Sequence, residues 1–355
     1  MSNVCKSILS LSPYQGGKPI SELRRELGLE HIVKLASNEN PLGIGTRVQK
    51  AMQKAIIEIN RYPDGNGFEL KQAIGEHLNV GTNCITLGNG SNDILELVAR
   101  AYVCHADDEV VFSEYAFVVY PLVTQALGAK AVVTNAKRFG HDLDAMLAAI
   151  SDKTKLIFIA NPNNPTGTLL SDKAIYQFLK QVPKSVVVVL DQAYFEYLDV
   201  EDGVIGWLKE FNHLIITRTF SKAYALAGLR VGYSVSSAKM ADYLNRIRQP
   251  FNVNHIAQTA AISALADDSF LTRSVLANKN GLIQLSKGFD KLQLSYIESF
   301  ANFIALKVDN ATDTYQKLLA KGFIVRPVEM ENYLRVSVGT LKENNDFLEA
   351  LKSVL

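Results

Sequence analysis

A lysine and an arginine share the stretch "TFSKAYALAGLRVGY", in which Lys222 follows Ser221 directly and Arg230 comes further along. A lysine that forms a Schiff base with an aldehyde must be close to neutral, and both removal from water and a nearby cation lower its pKa. Gly228 and Gly232 lack side chains, so they would let the backbone approach closely around Arg230. Most lysines, however, are solvated surface charges, so Lys222 needs further partners before this chemistry can be assigned.

A carboxylate and a tyrosine follow a strongly apolar run. Asp191 comes directly after "SVVVVL", and Tyr194 lies three residues later. Burial of a carboxylate at the end of such a strand costs free energy unless it meets a cation or a hydrogen-bond donor. A protonated heteroaromatic nitrogen would meet that need, and so would an arginine in a structural salt bridge. Tyr194 could reach the same ligand, although tyrosines also occur in ordinary cores.

Two loops are rich in groups that bind anions or ligand oxygens. In "GNGSND", Gly90, Ser91 and Asn92 stand where a helix begins, so free N–H groups, the helix dipole and a hydroxyl could bind a phosphate. An ordinary turn with a serine cap would contain the same residues. Asp93 occupies the place of the third glycine in a dinucleotide fingerprint, which disfavours dinucleotide binding. In "NPNNPTGT", the prolines form a rigid turn, which either serves the fold alone or holds Asn164 so that its amide donates to a ligand.

Short apolar runs alternate with helical patterns along most of the chain, which predicts an α/β protein with a mostly parallel central sheet flanked by helices. The predicted strands are Ile85–Leu87, Glu109–Phe112, Ala131–Thr134, Leu156–Ala160, Val186–Leu190 and Leu214–Thr217. Among the helices between them, "SNDILELVARAYV" and "SDKAIYQFLKQV" each open on a serine that would cap the helix. Ligands of parallel sheets bind beyond the carboxyl ends of the strands. One group of polar residues is therefore expected at that edge: Gly90, Ser91, Asn92, Tyr115, Asn164, Asp191, Tyr194, Ser221 and Lys222.

The pattern changes beyond residue 255, where a long helical stretch precedes short strands and two further helices. This order predicts a smaller α+β domain in the C-terminal part. The first thirty or so residues contain several prolines and glycines, which is typical of an arm. We therefore expect an arm over 1–32, a large domain over 33–254 and a small domain over 255–355.

Charge and cysteine content narrow the possible partners. The 37 basic and 36 acidic side chains leave a net charge of +1, which gives no electrostatic reason to expect nucleic acid or an anionic membrane as a partner. Cys5, Cys84 and Cys104 have neither metal-ligand nor CxxC spacing, so we expect free thiols, a reducing compartment and no metal. The N-terminus lacks the pattern of a signal peptide, and no apolar run reaches the length of about eighteen residues that a membrane span needs. We therefore expect a cytoplasmic protein.

Three separate motifs, "NPNNPTG", "DQAY" and "SKAYALAGLRVGY", together resemble the signature of the fold-type I pyridoxal-phosphate (PLP) aminotransferases. The stretches "LSPYQGGKP", "KLASNENPLG", "RYPDG", "GNGSND" and "IVRPVEMENYLRVSVGT" are similar to the histidinol-phosphate aminotransferase family, from near residue 10 to the C-terminus. The resemblance implies a PLP enzyme of histidine biosynthesis. It would move an amino group from L-histidinol phosphate to 2-oxoglutarate, giving imidazole-acetol phosphate and L-glutamate. It also implies the fold-type I architecture, with a large PLP-binding domain and a smaller α+β domain.

Carried onto the matching positions, the resemblance implies a role for each polar residue at the sheet edge. Lys222 would bind the cofactor aldehyde and shuttle the proton. Asp191 would keep the pyridinium nitrogen protonated, so that the ring acts as an electron sink. Tyr194 and Asn164 would hydrogen-bond the 3-oxygen of the ring, and Tyr115 would stack on its face. The residues around the cofactor phosphate would be Gly90, Ser91, Asn92, Ser221 and Arg230.

The same resemblance implies where the substrate and a second subunit would bind. Arg326 and Arg335 would bind the anionic groups of the substrates, because planar guanidinium groups suit both phosphate and carboxylate. Tyr14 and Asn40 would line the substrate pocket. A tyrosine in "RYP" reaches the cofactor phosphate of the neighbouring subunit in this family, so Tyr62 implies a homodimer with shared sites.

One stretch departs from the family pattern. Many members have a glycine-rich loop between the two arginine motifs, whereas this chain has the short, acidic "VEMENY" of Val328–Tyr333. Glu329 and Glu331 would disfavour a nearby phosphate unless they point outward. Related enzymes act on aromatic amino acids or decarboxylate a phosphoamino acid, so both activities stay open. A non-catalytic PLP-binding module is a weaker alternative, because the chain is nearly neutral, keeps every catalytic position and has no DNA-binding extension.

Overall fold

The structure is a computed structural model that describes residues 4–13, 16–198, 200 and 202–355. The strands are β1 (Val33–Lys34), β2 (Ile85–Gly88), β3 (Glu109–Ser113), β4 (Lys130–Thr134), β5 (Thr154–Ala160), β6 (Val187–Asp191), β7 (Leu214–Thr219), β8 (Gly232–Ser236), β9 (Tyr296–Ile297), β10 (Phe303–Lys307), β11 (Phe323–Ile324), β12 (Arg326–Pro327) and β13 (Tyr333–Ser337). The α-helices are α1 (Lys6–Leu9), α2 (Ile20–Leu27), α3 (Thr46–Ala55), α4 (Phe68–Leu78), α5 (Ser91–Tyr102), α6 (Val119–Ala126), α7 (Leu143–Ala148), α8 (Asp172–Gln181), α9 (Ala238–Ile247), α10 (His255–Leu265), α11 (Asp268–Lys291), α12 (Ala311–Ala320) and α13 (Leu341–Lys352). Short 3₁₀ helices lie at Ile56–Glu58, Thr82–Cys84, Phe195–Tyr197, Val204–Lys209 and Ala227–Leu229.

The main sheet has seven strands in the order β2-β8-β7-β6-β5-β3-β4. Strands β3 to β7 pair in parallel, whereas β8 is antiparallel to both of its neighbours, β2 and β7. The predicted α/β fold and the six predicted strands are therefore confirmed. The pattern of apolar runs does not predict β8, because Gly232, Ser234 and Ser236 are small and not apolar, although all of β8 is buried.

Helices cover both faces of this sheet, so its central strands are apolar on both sides. In β6, Val188 and Leu190 pack into the core that α3, α4, α8 and α10 share. Val187 and Val189 pack into the opposite core, with α5, α6 and α9. A polar side chain can therefore stand only where the strand ends, and Asp191 occupies that position at the carboxyl edge.

The C-terminal part contains a smaller antiparallel sheet in the order β12-β13-β10-β9. Its core is shared with α11, α12 and α13 through Leu285, Leu318 and Phe347, which confirms the predicted smaller α+β unit. The long helix predicted to begin near residue 255 is instead two helices, because Asp267 accepts a hydrogen bond from the Phe270 amide and so starts α11. Among the described residues, neither α11 nor any shorter helix combines the length and apolar composition needed to cross a membrane.

The predicted domain bounds remain a prediction, and three contacts bear on them. Helix α10 packs against α3 and α4 through residues such as Ala257, in the core of the main sheet. Strand β1 pairs in parallel with β11, where Val33 lies opposite Phe323. Helix α2, in the predicted arm, packs through Leu23 on Ile324. The segments on both sides of residue 33 therefore contact the small sheet's domain, and the chain enters the main sheet only afterwards.

Candidate active site

A cavity of about 260 Å³ opens at the carboxyl edge of the main sheet, where the small domain faces it. Its wall contains ten of the residues that the sequence predicts: Ser91, Asn92, Asn164, Asp191, Tyr194, Ser221, Lys222, Arg230, Arg326 and Arg335. The first eight lie at or after the carboxyl ends of β2, β5, β6 and β7. The last two, Arg326 and Arg335, lie on β12 and β13. Parallel strands bring their carboxyl ends to one edge, which is why residues distant in the sequence meet here.

Lys222 lies on the turn after β7, and its amine is held inside the cavity. Its Nζ donates a hydrogen bond to the carbonyl of Ser37 at 3.1 Å and lies 5.8 Å from the centre of the Tyr194 ring. The pKa of Lys222 is lowered to about 7, chiefly because the amine is removed from bulk water and also because Arg335 is close, whereas Glu39 opposes this shift. A large fraction of the amine is therefore neutral near pH 7, and the neutral amine is the form that attacks an aldehyde.

Asp191 ends β6 and is only 3% exposed. The hydroxyl of Tyr120 donates to its Oδ2 at 2.9 Å, and the hydroxyl of Thr217 donates to its Oδ1 at 3.0 Å. Burial raises the pKa of Asp191, while these hydroxyls and the charge of Lys222 act in the opposite direction. Both hydroxyl donors are neutral, so neither offsets the negative charge that the ionised carboxyl would offer to a cationic partner in the cavity. A protonated ring nitrogen fits this position.

The start of α5 forms an anion-binding end of the cavity. Gly90 is the N-cap residue with φ 76°, and Ser91 is the first helical residue, so the prediction that Ser91 caps the helix is wrong. Arg230 donates to the hydroxyl of Ser221 at 3.1 Å. A Cβ at Gly90 would overlap the Arg230 guanidinium, and a Cβ at Gly232 would lie 2.6 Å from the Ser91 amide nitrogen. Helix N–H groups, a guanidinium and two hydroxyls together suit an anion with several oxygens, such as a phosphate.

A second pair of arginines lies on the small domain. Arg326 and Arg335 are direct partners across the antiparallel strands β12 and β13. Arg335 donates to Oδ1 of Asn164 at 2.5 Å and to the carbonyl of Ala36 at 2.8 Å. Its guanidinium also lies 5.2 Å from the centre of the Phe303 ring. Two guanidinium groups in one wall suit a second anion, either a phosphate or a carboxylate.

Tyr194 is hydrogen-bonded to Asn38, the residue that directly follows Ser37, whose carbonyl accepts from Lys222. Its side chain is 3% exposed, and its hydroxyl accepts a hydrogen bond from Nδ2 of Asn38 at 2.9 Å. Asn38 in turn accepts a hydrogen bond at Oδ1 from the hydroxyl of Ser337 on β13. The Tyr194 hydroxyl is thereby held in a fixed place in the cavity wall, linked to the small domain.

Two predicted aromatic residues lie outside the cavity wall. The ring centre of Tyr115 lies 6.0 Å from that of Phe139, whereas the aromatic residues of the described wall are Phe117 and Tyr194. Tyr62 is 83% exposed and stacks on Phe251 at 4.7 Å, beside a different surface cavity. Stacking of Tyr115 on a cofactor and a reach of Tyr62 into a second subunit therefore remain predictions.

Asn40, which is also predicted to line the substrate pocket, is not among the residues of the cavity wall. Asn40 donates to the carbonyl of Ala223 and to the hydroxyl of Ser274, each at 2.9 Å, so both hydrogen bonds hold the local fold. Its neighbour Glu39 lines the cavity instead. Tyr14 lies outside the described residues.

Two secondary expectations from the sequence can be decided. A Cβ at Gly228 would meet no atom within 4 Å, so the prediction of close backbone approach is wrong for Gly228 and confirmed for Gly232. In the acidic loop, Glu329 and Glu331 are exposed, whereas Met330 between them is buried. The two carboxylates therefore point outward and do not oppose an anion beside the small-domain arginines.

Several residues of the site are not found by reasoning from the sequence. Thr217 lies directly opposite Asp191 in the sheet register, so a correct alignment of β6 and β7 would have found it. Tyr120 is fully buried on α6 and has no motif to mark it. Asn38 and Glu39 belong to the quoted stretch "KLASNENPLG", but nothing in their spacing shows which of them faces the cavity.

Comparison with known proteins places this site in context. The family described as aminotransferase class I and II matches residues 30–351. A histidinol-phosphate aminotransferase of Methylobacillus flagellatus is 54% identical, over 98% of this chain and 96% of its own length. Histidinol-phosphate aminotransferase 1 of Idiomarina loihiensis is 52% identical, again over 98% of this chain and 96% of its own. The crystal structure of histidinol-phosphate aminotransferase from Sinorhizobium meliloti, in complex with pyridoxal 5′-phosphate, has a TM-score of 0.93 at 29% identity and covers 100% of this chain and 98% of that chain.

Proposed function

We propose, from the premise that this chain belongs to the aminotransferase class I and II family, that it transfers the amino group of L-histidinol phosphate to 2-oxoglutarate in histidine biosynthesis. The products are imidazole-acetol phosphate and L-glutamate. The observation that carries this proposal is a single cavity with two separate cationic groups. One group contains Arg230 on the large domain, and the other contains Arg326 and Arg335 on the small domain. A reaction that needs both a cofactor phosphate and a substrate phosphate requires two such groups.

The cofactor of this family, pyridoxal 5′-phosphate, fits the donors of the cavity. We assign its phosphate to the start of α5, with Ser91, Ser221 and Arg230, and propose that Gly90 and Asn92 complete this end. Asp191 would face the ring nitrogen, and Lys222 would bind the aldehyde carbon. When bound, the cofactor withdraws electron density from the α-carbon of the amine substrate and so makes its C–H bond acidic.

The side chains behind the cavity prepare two groups for this chemistry. Lys222 is proposed to remove and return the proton, and its neutral form, favoured by removal from water and by Arg335, is the form that accepts a proton. Asp191 is proposed to hold a proton on the ring nitrogen by its negative charge. Tyr120 and Thr217 support that charge by donating to both carboxylate oxygens. Tyr194 and Asn164 are proposed to bind the 3-oxygen of the ring, and Tyr115 is proposed to contact its face.

Arg326 and Arg335 are proposed to bind the phosphate of histidinol phosphate in one half of the reaction and a carboxylate of glutamate in the other. Planar guanidinium groups accommodate both anions, which an enzyme with alternating substrates requires. The outward position of Glu329 and Glu331 leaves this cationic wall without an opposing charge from the acidic loop. Tyr14 and Asn40 are kept as proposed substrate residues.

We also propose that the protein acts as a homodimer in the cytoplasm. The surface around Tyr62 supports the dimer, because Ile57, Ile59 and Phe68 are 80%, 64% and 64% exposed. Apolar side chains exposed together are typical of a surface that a partner covers. Light scattering of the purified protein would test this, since a dimer has twice the chain mass of 39.1 kDa.

The alternatives are an aromatic amino-acid aminotransferase and a phosphoamino-acid decarboxylase, and the relatives at 54% and 52% identity favour neither. A kinetic comparison tests the proposal against both. We expect kcat/KM with 2-oxoglutarate to be highest for L-histidinol phosphate, well above the values for phenylalanine and tyrosine, and no release of carbon dioxide from threonine phosphate. Equal values for phenylalanine and histidinol phosphate would contradict the proposed substrate.

An arginine variant makes the comparison sharper. Arg326→Ala should lower kcat/KM for histidinol phosphate by about 10- to 150-fold, because a hydrogen bond to a charged group contributes about 1.5–3 kcal/mol. Phenylalanine, which has no distal anion, should lose much less. Arg246→Ala is the matched control, since Arg246 is 68% exposed and pairs with Asp242 on α9, away from the cavity.

A further inference from the structure

The cavity wall contains one carboxylate for which the proposed chemistry has no role. Among the described wall residues, Asp191 and Glu39 are the acidic ones, and Asp191 lies at the sheet edge with its hydroxyl donors. Lys222, Arg230 and the small-domain arginines supply the positive charges. Once the two anions and the ring nitrogen are assigned, Glu39 is the acidic group that remains to meet a substrate.

The backbone on both sides of Glu39 is fixed by hydrogen bonds. The backbone N–H of Asn38 donates to the hydroxyl of Ser337 at 2.8 Å, and Asn38 adopts a left-handed φ of 56°. Asn40 donates to the carbonyl of Ala223 on the far side of the segment. The α-carbon of Glu39 is thus held between two anchored residues, so its side chain is presented to the cavity from a rigid position.

Glu39 lines the cavity that holds the Lys222 amine, and its side chain is also open to solvent. On its outer side, Lys34 donates to Oε1 at 3.1 Å, and the Glu39 side chain is 47% exposed. On its inner side, its charge reaches Lys222, where it supports the protonated form of the amine. A carboxylate has about four lone-pair sites, so the hydrogen bond from Lys34 leaves it able to accept from a ligand.

These positions match the imidazole ring of histidinol phosphate, to which none of the described wall residues has been assigned above. Its phosphate needs cations, which Arg326 and Arg335 supply, and its amine reacts beside Lys222. Its imidazole ring carries an N–H that needs an acceptor, and a carboxylate is a strong acceptor for such a donor. Phenylalanine has no ring N–H, and the distal carboxylate of glutamate would be repelled by Glu39 and directed to the arginines.

We propose that Glu39 is a specificity-determining residue that accepts a hydrogen bond from the imidazole N–H of the amine substrate. The inference rests on the proposed function, because it assigns a role within the same substrate site. It separates imidazole-bearing amines from phenyl-bearing ones, and it acts in one half of the transamination only.

The test compares Glu39→Gln with Glu39→Asp in the holoenzyme, with Glu329→Gln as a matched control that removes an exposed carboxylate outside the cavity wall. For each protein, kcat/KM and the dissociation constant are measured for histidinol phosphate, glutamate and phenylalanine, the latter by spectral titration. Glu39→Gln should weaken the binding of histidinol phosphate and lower its kcat/KM by about 10- to 150-fold, the range for a hydrogen bond to a charged group. Glutamate and phenylalanine should change by less than about threefold, and Glu39→Asp should recover part of the loss.

The possible outcomes separate this inference from the function on which it rests. If the wild-type enzyme does not prefer histidinol phosphate to phenylalanine, the proposed function itself fails. If the wild type has the preference and Glu39→Gln keeps it, the inference is overturned. An equal loss for all three substrates would also overturn it, since Glu39 would then act through Lys222 and not on the imidazole. Thermal unfolding of each variant checks the fold, and if the Gln variant does not fold, the Asp variant must show the selective loss.

Discussion

Tyr120→Phe tests whether the charge of Asp191 depends on the neutral donors behind it. The hydroxyl of Tyr120 donates to Oδ2 of Asp191 at 2.9 Å, in a place without solvent. The Tyr120 ring is fully buried and lies 4.5 Å from Phe158 in a parallel stack. Phenylalanine keeps that stack and removes one oxygen only, so the effect should be electrostatic and not one of packing.

The expected loss follows from the charge of the acceptor. A hydrogen bond to a charged group contributes about 1.5–3 kcal/mol, so PLP affinity and kcat should fall by about 10- to 150-fold. Burial already raises the pKa of Asp191, and loss of a donor to its ionised form raises that pKa further. An acid with a raised pKa is protonated over a wider range, so the defect should be larger at acidic pH than at alkaline pH.

The assay is a spectral titration of the cofactor-free variant with PLP at several pH values, together with kcat for transamination. Thr217→Val is the parallel variant, because it removes the donor to the other oxygen of Asp191. If Tyr120→Phe bound PLP and turned over within about threefold of the wild type at every pH, less than 1 kcal/mol would be involved, and the proposed support of Asp191 would be refuted.

Three further predictions address other parts of the structure. Gly90→Ala should weaken PLP binding in equilibrium titrations, because its Cβ would overlap the guanidinium behind it at a φ of 76°, whereas Gly228→Ala, with open space, should not. Burial raises the pKa of Glu196 from 4.5 to about 7, so its contribution to stability is fully present below 4.5 and is lost as the pH rises through 7. Glu196→Gln should therefore remove up to about 3 kcal/mol of the pH dependence of the free energy of unfolding, measured in urea. If that free energy changed with pH as steeply in the variant as in the wild type, the assignment would be contradicted. Arg335→Gln should raise the pKa of Lys222, so the rate at which the cofactor-free protein captures PLP should rise with pH at a higher midpoint than the wild type's value of about 7.

Much of the frame follows from the sequence because buried parallel strands leave a strong pattern. The run of valines in β6 predicts a strand that is buried on both faces, and Asp191 is the residue at the carboxyl end of that strand. β8 carries no such pattern, because three of its five residues are a glycine and two serines and so do not form an apolar run. These residues are small because β8 packs closely beside α5. A Cβ at Gly232 would lie 2.6 Å from the Ser91 amide, so the tight packing there explains the residue type but hides the strand.

The site shows the same division between motif residues and supporting residues. Lys222 and Arg230 belong to contiguous motifs, so the sequence predicts them together. Tyr120 meets Asp191 only through the packing of α6 on the sheet, and local spacing carries no information about that contact. Asn40 and Glu39 are adjacent in the chain, and only the hydrogen bonds of the folded segment decide that Glu39 and not Asn40 faces the cavity.

The most direct test of the account is amino transfer by the wild type and by Lys222→Ala, each purified and supplied with PLP. Glutamate formed from 2-oxoglutarate is measured with L-histidinol phosphate as the donor, and thermal unfolding confirms that the variant is folded. We expect rapid glutamate formation by the wild type and none above background by Lys222→Ala, because no other amine in the described cavity wall can replace it. Transfer by the folded alanine variant at the wild-type rate would contradict the assignment of this cavity as the active site.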